Sequence, residues 1–424
     1  MPITKATQEV ISPNICTTDT TQTITGVKTF SNAIVGNVNG DIYASDGTTK
    51  VLENGTGANA TFTGNVTGNV TATNISTTNL VNGTSLCFRN KIINGAMTID
   101  QRNSGSSVTQ TTATLYPVDR FLITGSVSSK FTAQQNQGSV TPPAGYAKYL
   151  GTTSSSSYSV APSDFFCIAQ KIEGFNVADL GFGTANASPV TLSFWIRSSL
   201  TGTFGGSLRN NGTRSYPFNY TISSANTWTQ ITITISGDTT GTWLSNNGEG
   251  LTVFFSLGSG STLSGTAGSW QAGNFVSATG ATSVVGTNGA TFYITGVQLE
   301  AGSVATPFEN RPIGTELALC QRYCWQTNGG ISAPGLAGQP GANLTNTTVT
   351  LQYPVTMRSI PTFTNITNGA VDSNSSLIIT SAAPDLYITE NSVRFVVTTA
   401  TNIANSIGYA AVIRGQVIRL ESEL

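Results

Sequence analysis

The chain of 424 residues has few charged side chains: 19 Lys and Arg and 20 Asp and Glu make up 9% of it, against about 25% in an ordinary soluble domain, and the formal net charge is −1. The absence of His excludes nucleophile systems that use an imidazole base, together with metal and haem sites that use imidazole ligands. The sequence has no cluster of Lys and Arg and no apolar run near the roughly 20 residues of a membrane-spanning helix, so we expect neither nucleic-acid binding nor membrane insertion.

Residues 1–85 are short apolar residues separated by Gly, Asn and Thr, with a local Gly-Asn-Val repeat at 35–40 and 63–70. This pattern predicts short strands or extended rungs joined by turns. The apolar positions are too sparse to build a core from one copy, so identical chains are expected to pack together as a shaft with an attachment segment. The first ten residues lack the apolar segment of a secretory signal, from which we expect assembly in a cytoplasm. The sparse apolar positions are Ile24, Val27, Phe30, Ile34, Val38, Phe62, Val66 and Val70.

Residues 86–310 are richer in aromatic and β-branched side chains, which favour strands. In the run 228–236, Ile231, Ile233 and Ile235 alternate with polar residues, so one face is expected to be buried and the other solvated. Several such strands between Gly-rich turns predict a two-sheet sandwich or jelly roll. The four clearest predicted strands cover 191–198, 228–236, 251–257 and 290–299.

Residues 311–424 begin with a predicted short helix, for which Thr315 is the expected N-cap and Leu319 and Tyr323 lie on the apolar stripe. Cys320 and Cys324 are four residues apart and would then share one helix face. The segments beyond the helix predict a small β domain of about 100 residues. Its predicted strands cover 349–353, 377–380, 393–397 and 409–413, followed by Val417, Ile418 and Leu420.

The cysteines form no C-x-x-C pair and have no His beside them, so we expect reduced, buried thiols and no metal site. No residue pattern indicates a cofactor either. The five cysteines are Cys16, Cys87, Cys167, Cys320 and Cys324.

Several motifs resemble a recurrent module of bacteriophage tail-fibre and receptor-binding proteins. They are Asn90-Lys-Ile-Ile-Asn-Gly-Ala-Met-Thr-Ile-Asp-Gln-Arg102 with Tyr116-Pro-Val-Asp-Arg-Phe121, Ile294 to Glu309, and the Glu-Leu-Ala-Leu-Cys-Gln-Arg-Tyr stretch of the predicted helix. Residues 22–31 and the Gly-Asn-Val repeats resemble phage fibre shafts. In that family the first pair of motifs opens a jelly roll, the 294–309 motif closes it, and the helix leads into a terminal domain.

The resemblance implies a homotrimeric fibre of the virion, attached by its N-terminal region to phage tail or baseplate proteins, whose outer β domains contact the host surface. The jelly roll is also similar to carbohydrate-binding modules through the runs 193–199, 220–224 and 226–230, which are framework strands there. The expected fold is therefore mostly β: an extended trimeric shaft (1–85), a central jelly-roll sandwich (86–310) and a small C-terminal β domain preceded by a short helix (311–424).

A glycan site needs flat aromatic faces for the apolar side of a sugar and polar side chains for its hydroxyls. The candidates are Tyr216, Trp243, Trp270 and Tyr293; the two tryptophans lie in Gly-, Ser- and Asn-rich stretches that resemble loops. The alternative is that these aromatics pack in the core or in subunit interfaces, as large aromatics mostly do.

Charged residues at the edges of the jelly roll have a structural interpretation. Asp119 and Arg120 are expected to hold loops by charge-assisted hydrogen bonds. Glu300 and Glu309 flank the end of the jelly roll, and Glu309 with Arg311 is expected to fix the linker that follows it.

The sequence thus favours a tail fibre that adheres to host surface glycan without catalysis. Two alternatives remain: a structural spacer without receptor contact, and a fibre that hydrolyses polysaccharide with two carboxylates, a chemistry that requires no His. The 20 Asp and Glu could supply such a pair, but no spacing singles one out.

Overall fold

A computed structural model describes residues 42–43, 50–54, 60–62, 88–327, 346–367, 370–372, 376–399, 412–414 and 417–424. The chain divides into two compact units, Met1–Val81 and Asn82–Leu424. The domain boundaries predicted at 85–86 and 310–311 stay predictions.

In the first unit three short strands form an antiparallel sheet in the order β1-β2-β3. Leu52 pairs with Phe62 across the second of these pairs. The Gly-Asn-Val repeats, most of the predicted shaft, Cys16 and Cys87 lie outside the described residues. The strands are β1 (Ile42–Tyr43), β2 (Lys50–Asn54) and β3 (Ala60–Phe62).

The second unit begins with a β-sandwich, which confirms the central part of the predicted fold. Its strands are β4 (Val108–Thr109), β5 (Leu115–Val118), β6 (Phe121–Gly125), β7 (Phe131–Gln135), β8 (Leu150–Ser154), β9 (Phe165–Glu173), β10 (Val190–Ser198), β11 (Gly202–Arg209), β12 (Arg214–Ile222), β13 (Thr229–Ile235), β14 (Glu249–Ser259), β15 (Ser264–Gly265), β16 (Gln271–Ala272), β17 (Ser277–Ala278) and β18 (Thr291–Ala301). Single turns of 3-10 helix lie at Gln137–Ser139, Gly174–Asn176, Ala178–Leu180 and Ser261–Leu263.

Two antiparallel sheets make up the sandwich. The six-stranded sheet has the order β13-β10-β18-β8-β7-β4, and the seven-stranded sheet has the order β16-β12-β11-β14-β9-β6-β5. Their inward side chains share one core, in which the largest fully buried rings are Phe121, Phe131, Phe166, Phe194, Phe204, Phe218, Phe255 and Phe292. Strands distant in sequence therefore meet through one apolar layer.

The four strands predicted in this region all form, and β13 shows why. Its side chains alternate between covered and exposed positions as the sequence pattern requires, and Ile235 is fully buried. Opposite it, Phe194 of β10 pairs with Ile231. The period of two in the sequence thus places the isoleucines on the core side.

The motifs that open and close the sandwich lie against each other. The Lys91 N–H donates to the Leu299 carbonyl at 2.8 Å, and the Val297 N–H donates to the Gly95 carbonyl at 3.0 Å. A Cβ at Gly95 would lie 2.1 Å from the Val297 carbonyl oxygen, so only glycine allows this approach. The order expected from the resemblance, an opening and a closing motif, thus corresponds to a physical pair.

The helix forms, but its predicted N-cap is wrong. Helix α1 spans Ile313–Gln321, and Pro312 precedes it without any side-chain cap. Pro312 has φ −53°, and its carbonyl accepts the first helical hydrogen bond from Glu316 N–H, so the helix starts before Thr315. Thr315 therefore lies within the first turn.

The helix also ends before Cys324, so the predicted shared face of Cys320 and Cys324 is wrong, and Tyr323 too lies beyond the helix. Arg322 is the C-cap, and its carbonyl accepts the Arg358 N–H at 2.8 Å. Cys324 belongs to β19 (Cys324–Gln326) and pairs with Glu421. Pairing with the last strand of the chain competes with a further helical turn and replaces it.

The remaining strands form two sheets, which confirms the small C-terminal β domain preceded by a short helix. The sheet orders are β19-β26-β21 and β20-β24-β23-β22-β25. Their core contains Met357, Val393, Phe395, Ile418 and Leu420. Residues 409–411 of one predicted strand lie outside the described residues. The strands are β20 (Asn346–Gln352), β21 (Thr362–Thr367), β22 (Ala370–Asp372), β23 (Ser376–Ile388), β24 (Ser392–Thr399), β25 (Val412–Arg414) and β26 (Val417–Glu421).

The described cysteines, Cys167, Cys320 and Cys324, are buried free thiols, as predicted. Among the described residues no three Cys, Asp or Glu side chains come together as a possible metal site. In the same part of the chain no helix reaches the length and hydrophobicity that crossing a bilayer requires.

The charged residues predicted to be structural are so. Asp119 accepts hydrogen bonds from Gln101 and lies 3.3 Å from Arg102. Arg120 pairs with Glu423, and its guanidinium lies 3.5 Å from the centre of the Tyr323 ring. These contacts fasten the end of the chain to the sandwich.

The linker after β18 is fastened in the same manner. Glu309 accepts the Asn90 N–H at 2.9 Å and lies 3.2 Å from Arg311. Glu300 accepts the Thr306 N–H at 2.8 Å and the Thr306 hydroxyl at 2.6 Å.

Candidate functional site

Three of the four aromatic residues predicted for glycan binding meet in one cluster. The Trp243 and Trp270 rings are 5.4 Å apart, edge to face, and the Tyr216 ring is 5.4 Å from that of Trp270. Phe182, which the sequence did not single out, lies 4.8 Å from Trp243. The fold thus brings together residues that are far apart in the sequence. Phe182 and Trp270 are separated by 88 positions.

Hydrogen bonds hold the two indoles of this cluster in place. Trp243 donates from Nε1 to the Thr240 carbonyl at 3.1 Å, and Trp270 donates to the Ser236 carbonyl at 2.7 Å. Tyr216 is buried, and both tryptophans pack against the main core. A cavity of about 270 Å³ beside Phe182 and Trp243 is the space that the cluster leaves to a ligand.

The fourth candidate, Tyr293, lies apart from the cluster on the six-stranded sheet. Its ring is 5.3 Å from that of Tyr149 and 5.5 Å from the Arg197 guanidinium. The side chain is 4% exposed, and the hydroxyl lies against Gly138. The structure therefore does not join Tyr293 to the other three.

A larger concave surface lies on the outward face of the seven-stranded sheet. Because side chains alternate along a strand, Phe121 and Ile123 of β6 face the core and Leu122 and Thr124 face outward. In β14 the same alternation turns Phe255 inward and Phe254 outward. Apolar side chains thus occur on both faces of this sheet.

The segment between β14 and β18 covers part of this outward face. The Ser207 hydroxyl of β11 donates to the Phe275 carbonyl at 2.7 Å, and the Phe275 N–H donates to the Ser215 hydroxyl of β12 at 3.1 Å. At Gly205 a Cβ would lie 2.5 Å from the Ser277 hydroxyl oxygen, so the absent side chain permits close contact. The covering segment forms a wall, and the part of the sheet beyond it is left open.

We call this concavity the groove; it has a volume of about 420 Å³. Its floor comes from β6, β9, β11 and β14, and Leu263, Asn274 and Val276 belong to the covering segment. Thr114, Asn211 and Asn274 are exposed along it. The lining residues are Thr114, Leu122, Thr124, Phe165, Lys171, Arg209, Asn211, Gly212, Thr252, Phe254, Leu263, Asn274 and Val276.

The charged side chains that line the groove are Lys171 and Arg209, both cationic. Lys171 lies 2.9 Å from Oε2 of Glu249, whose Oε1 accepts the Thr252 hydroxyl at 2.7 Å. The Arg209 guanidinium lies over the Phe254 ring, 4.7 Å from its centre. Burial lowers the pKa of Arg209.

The Cys167 thiol beneath this region is not a nucleophile. It is fully buried in the cluster that also contains Leu122 and Phe254, and burial raises its pKa to about 12. Because the thiolate is the reactive form, this side chain serves as apolar packing near neutral pH.

The groove was not predicted from the sequence, although two signals relate to it. Phe254 and Phe255 are adjacent in a predicted strand, so one of them must face away from the core. An apolar ring on the second face of a sheet indicates either a covering segment or a binding surface. The other signal, Arg209 at the end of β11, acquires meaning only from its place beside Phe254.

No model of a protein family matches the sequence, and no curated protein matches it. Solved structures with similarity include a putative sugar-binding protein from Bacteroides thetaiotaomicron, at 12% identity and a TM-score of 0.30, covering 50% of this chain and 100% of that one. A CBM4 structure matches at 14% identity and a TM-score of 0.24, covering 49% and 98%.

The enzymatically active domain of tailspike protein 4 from bacteriophage CBA120 also matches, at 11% identity and a TM-score of 0.28. That match covers 50% of this chain, and this chain spans 21% of the tailspike chain's length.

Proposed function

We propose that this chain is a phage tail-fibre protein that adheres to glycan on the host cell surface, and that the groove is its glycan-binding surface. The groove carries the proposal: it is an open concavity of about 420 Å³ on a rigid sheet, within the range of roughly 300–1,000 Å³ usual for small-molecule sites.

The chemistry of the groove suits a sugar. Phe165 and Leu263, both half-buried, offer apolar surface to the C–H face of a sugar ring. Thr114, Thr124, Asn211 and Asn274 offer hydroxyls and amides, which both donate to and accept from sugar hydroxyls. Thr124 and Phe165 stand on strands whose other face is the sandwich core, so these two side chains are held in place before a ligand arrives.

The role as a tail fibre is supported by the motifs at 90–102, 116–121 and 294–309. We propose a homotrimer that joins phage tail or baseplate proteins through its N-terminal region and belongs to the virion. Several weak sites on one particle would then act together, because linked sites can raise avidity by about 10² to 10⁴ over a single site.

We propose binding without hydrolysis, and no cofactor or metal is part of the proposal. A depolymerase would release reducing sugar ends from a polysaccharide that it retains, whereas a binding module would retain the polymer and release none. A spacer without receptor contact would retain no polysaccharide at all.

The test measures how strongly gels that contain neutral or acidic polysaccharides retain the full chain. It compares the unmodified chain with the Asn274→Trp variant. Asn274 is exposed on the groove wall, so the indole would fill the groove without removing a core contact. We expect retention to weaken about tenfold or more, since the bulky ring displaces the ligand from its contacts.

Asn288→Trp is the matched control, because Asn288 is exposed on a loop and does not line the groove. Equal loss of retention in the two variants would contradict the assignment of the groove. If none of the polysaccharide gels retained the unmodified chain, glycan binding itself would be contradicted.

A further inference from the structure

Arg209 differs from most arginines of the described sandwich because its guanidinium has no hydrogen-bonding or ionic partner among the described residues. Within the described residues it makes no side-chain hydrogen bond or ion pair, and its Nε is buried without an acceptor. Arg214, on the neighbouring strand, donates to both carboxylate oxygens of Asp238 at 2.7 and 2.6 Å. Arg214 thus has a carboxylate partner, whereas Arg209 has none among the described residues.

An unpaired guanidinium that is partly removed from water costs free energy, because burial weakens its hydration without supplying an acceptor. Contact with the Phe254 ring at 4.7 Å offsets part of this cost. The ring, however, occupies one face of the planar group and accepts no hydrogen bond from its N–H edge. The Nη donors along that edge remain available to a ligand, whereas Nε is buried.

The nearby carboxylate does not satisfy Arg209. Glu249 has Lys171 at one carboxylate oxygen and the Thr252 hydroxyl at the other, at 2.9 and 2.7 Å. Lys171 and Glu249 therefore neutralise each other, and the charge of Arg209 is in excess. The groove is cationic in a chain whose formal net charge is −1.

The covering segment adds no negative charge to the groove. Residues 250–299 contain no Asp, Glu, Lys or Arg, so the wall formed by Leu263, Asn274 and Val276 is uncharged. An anionic group that enters the groove meets no carboxylate among the side chains that line it.

We propose that the groove binds an acidic glycan and that Arg209 pairs with an anionic substituent of the sugar. This inference rests on the proposed glycan binding and names the class of glycan. The planar guanidinium presents parallel N–H donors to two oxygens of one anion, which a carboxylate or a phosphate supplies equally well. The sugar carbons contact the adjoining apolar floor, while the anionic substituent lies at the Arg209 end.

The experiment compares polysaccharides that differ only in charge. The probes are polygalacturonate and its carboxyl-reduced neutral form, and dextran phosphate and dextran. We expect the full chain to bind at least one acidic polymer more tightly than its neutral partner. The polymer that shows the difference identifies carboxylate or phosphate as the group bound.

Arg209→Gln is expected to weaken binding of that acidic polymer about tenfold or more and to change binding of its neutral partner less than about twofold, since one charged hydrogen-bonding partner is lost. Arg209→Lys keeps the charge without the planar fork, so we expect an intermediate loss. Arg197→Gln is the matched control, because it removes the same charge from the six-stranded sheet, where Arg197 donates to the Asn226 carbonyl at 3.0 Å.

Three results would overturn the inference. Equal losses in Arg209→Gln and Arg197→Gln would show an effect of overall charge. Equal binding of charged and neutral polymers, still abolished by Asn274→Trp, would leave glycan binding in the groove intact and remove its preference for an acid. Retention of none of the four polymers would contradict the proposed function together with the inference.

Discussion

Arg209 and Arg214 stand on adjoining strands with opposite surroundings. Arg214 neutralises Asp238, whose side chain is 2% exposed, whereas Arg209 has an aromatic face and no acceptor among the described residues. Burying a charge is costly unless a partner compensates it, so the two side chains should contribute to stability with different signs.

We predict that Arg209→Met leaves the free energy of unfolding within about 1 kcal/mol of the unmodified chain or raises it, because the variant removes an uncompensated charge and keeps an apolar stem on Phe254. Arg214→Met should lower the free energy of unfolding by about 1.5–3 kcal/mol, because Asp238 would lose both hydrogen bonds from Arg214 and keep only those from Thr240. Urea unfolding of the full chain measures both. A loss in Arg209→Met as large as that in Arg214→Met would show that Arg209 has a structural role.

The sequence could propose aromatic residues for the site but could not place them. Trp243 and Trp270 do lie outside long strands, as expected, yet each indole N–H is bound to a backbone carbonyl and each ring packs on another ring. Whether a ring lies open or edge to face depends on partners as distant in sequence as Phe182. Local composition contains no information about such partners.

At the scale of elements, the end of β9 is joined to the segment that follows α1. Glu173 accepts hydrogen bonds from Arg322 at 2.6 Å and from the Tyr323 hydroxyl at 2.7 Å. Burial alone would raise the pKa of Glu173, but the hydrogen bonds from Arg322 and Tyr323 outweigh it, so the pKa lies below its ordinary value. The ionised form therefore stabilises the folded chain.

This direction fixes a pH dependence. A carboxyl whose pKa is lowered by folding contributes stability above its unfolded pKa, near 4.5, and loses that contribution as the pH falls through the folded pKa. We expect Glu173→Gln to lower the free energy of unfolding by about 1.5–3 kcal/mol at pH 7. The difference between variant and unmodified chain should shrink as the pH falls below about 4.5.

Urea unfolding of both chains from pH 7 to pH 3 measures this difference. The comparison is needed because burial raises the pKa of Asp119 to about 6, which favours the folded chain as the pH falls and opposes the contribution of Glu173. The Asp119 contribution is common to both chains and cancels. A difference that stays constant or grows toward pH 3 would contradict the role given to Glu173.

Strand positions were predictable because alternation is a local property. Strand β13 covers most of the predicted run 228–236, and β14 covers all of the predicted run 251–257. The ends of α1 were not. Thr315 is a good N-cap residue, but Pro312 starts the helix first, and Cys324 leaves it to pair with Glu421 nearly 100 residues later. Element boundaries are set by such competing contacts, which a local pattern does not contain.

At the scale of the whole molecule, the sandwich and the C-terminal sheets follow from composition and pattern, whereas the contact between the opening and closing motifs is a finding of the structure. The groove does not follow. It exists because the segment from β15 to β17 lies over part of the seven-stranded sheet and leaves the adjoining part open. The shaft remains a prediction from the Gly-Asn-Val repeats and the sparse apolar positions of residues 1–85, and its trimeric state remains an expectation from the resemblance.

The most direct test of glycan binding in the groove is hydrogen exchange of the full chain, measured with and without the polysaccharide that it retains most tightly. The account predicts slower exchange at residues 263–276 and 209–212 in the presence of the polymer, because these segments border the groove. Slower exchange confined to residues 181–184 and 243–245, beside Phe182 and Trp243, would place binding at the aromatic cluster and contradict the account.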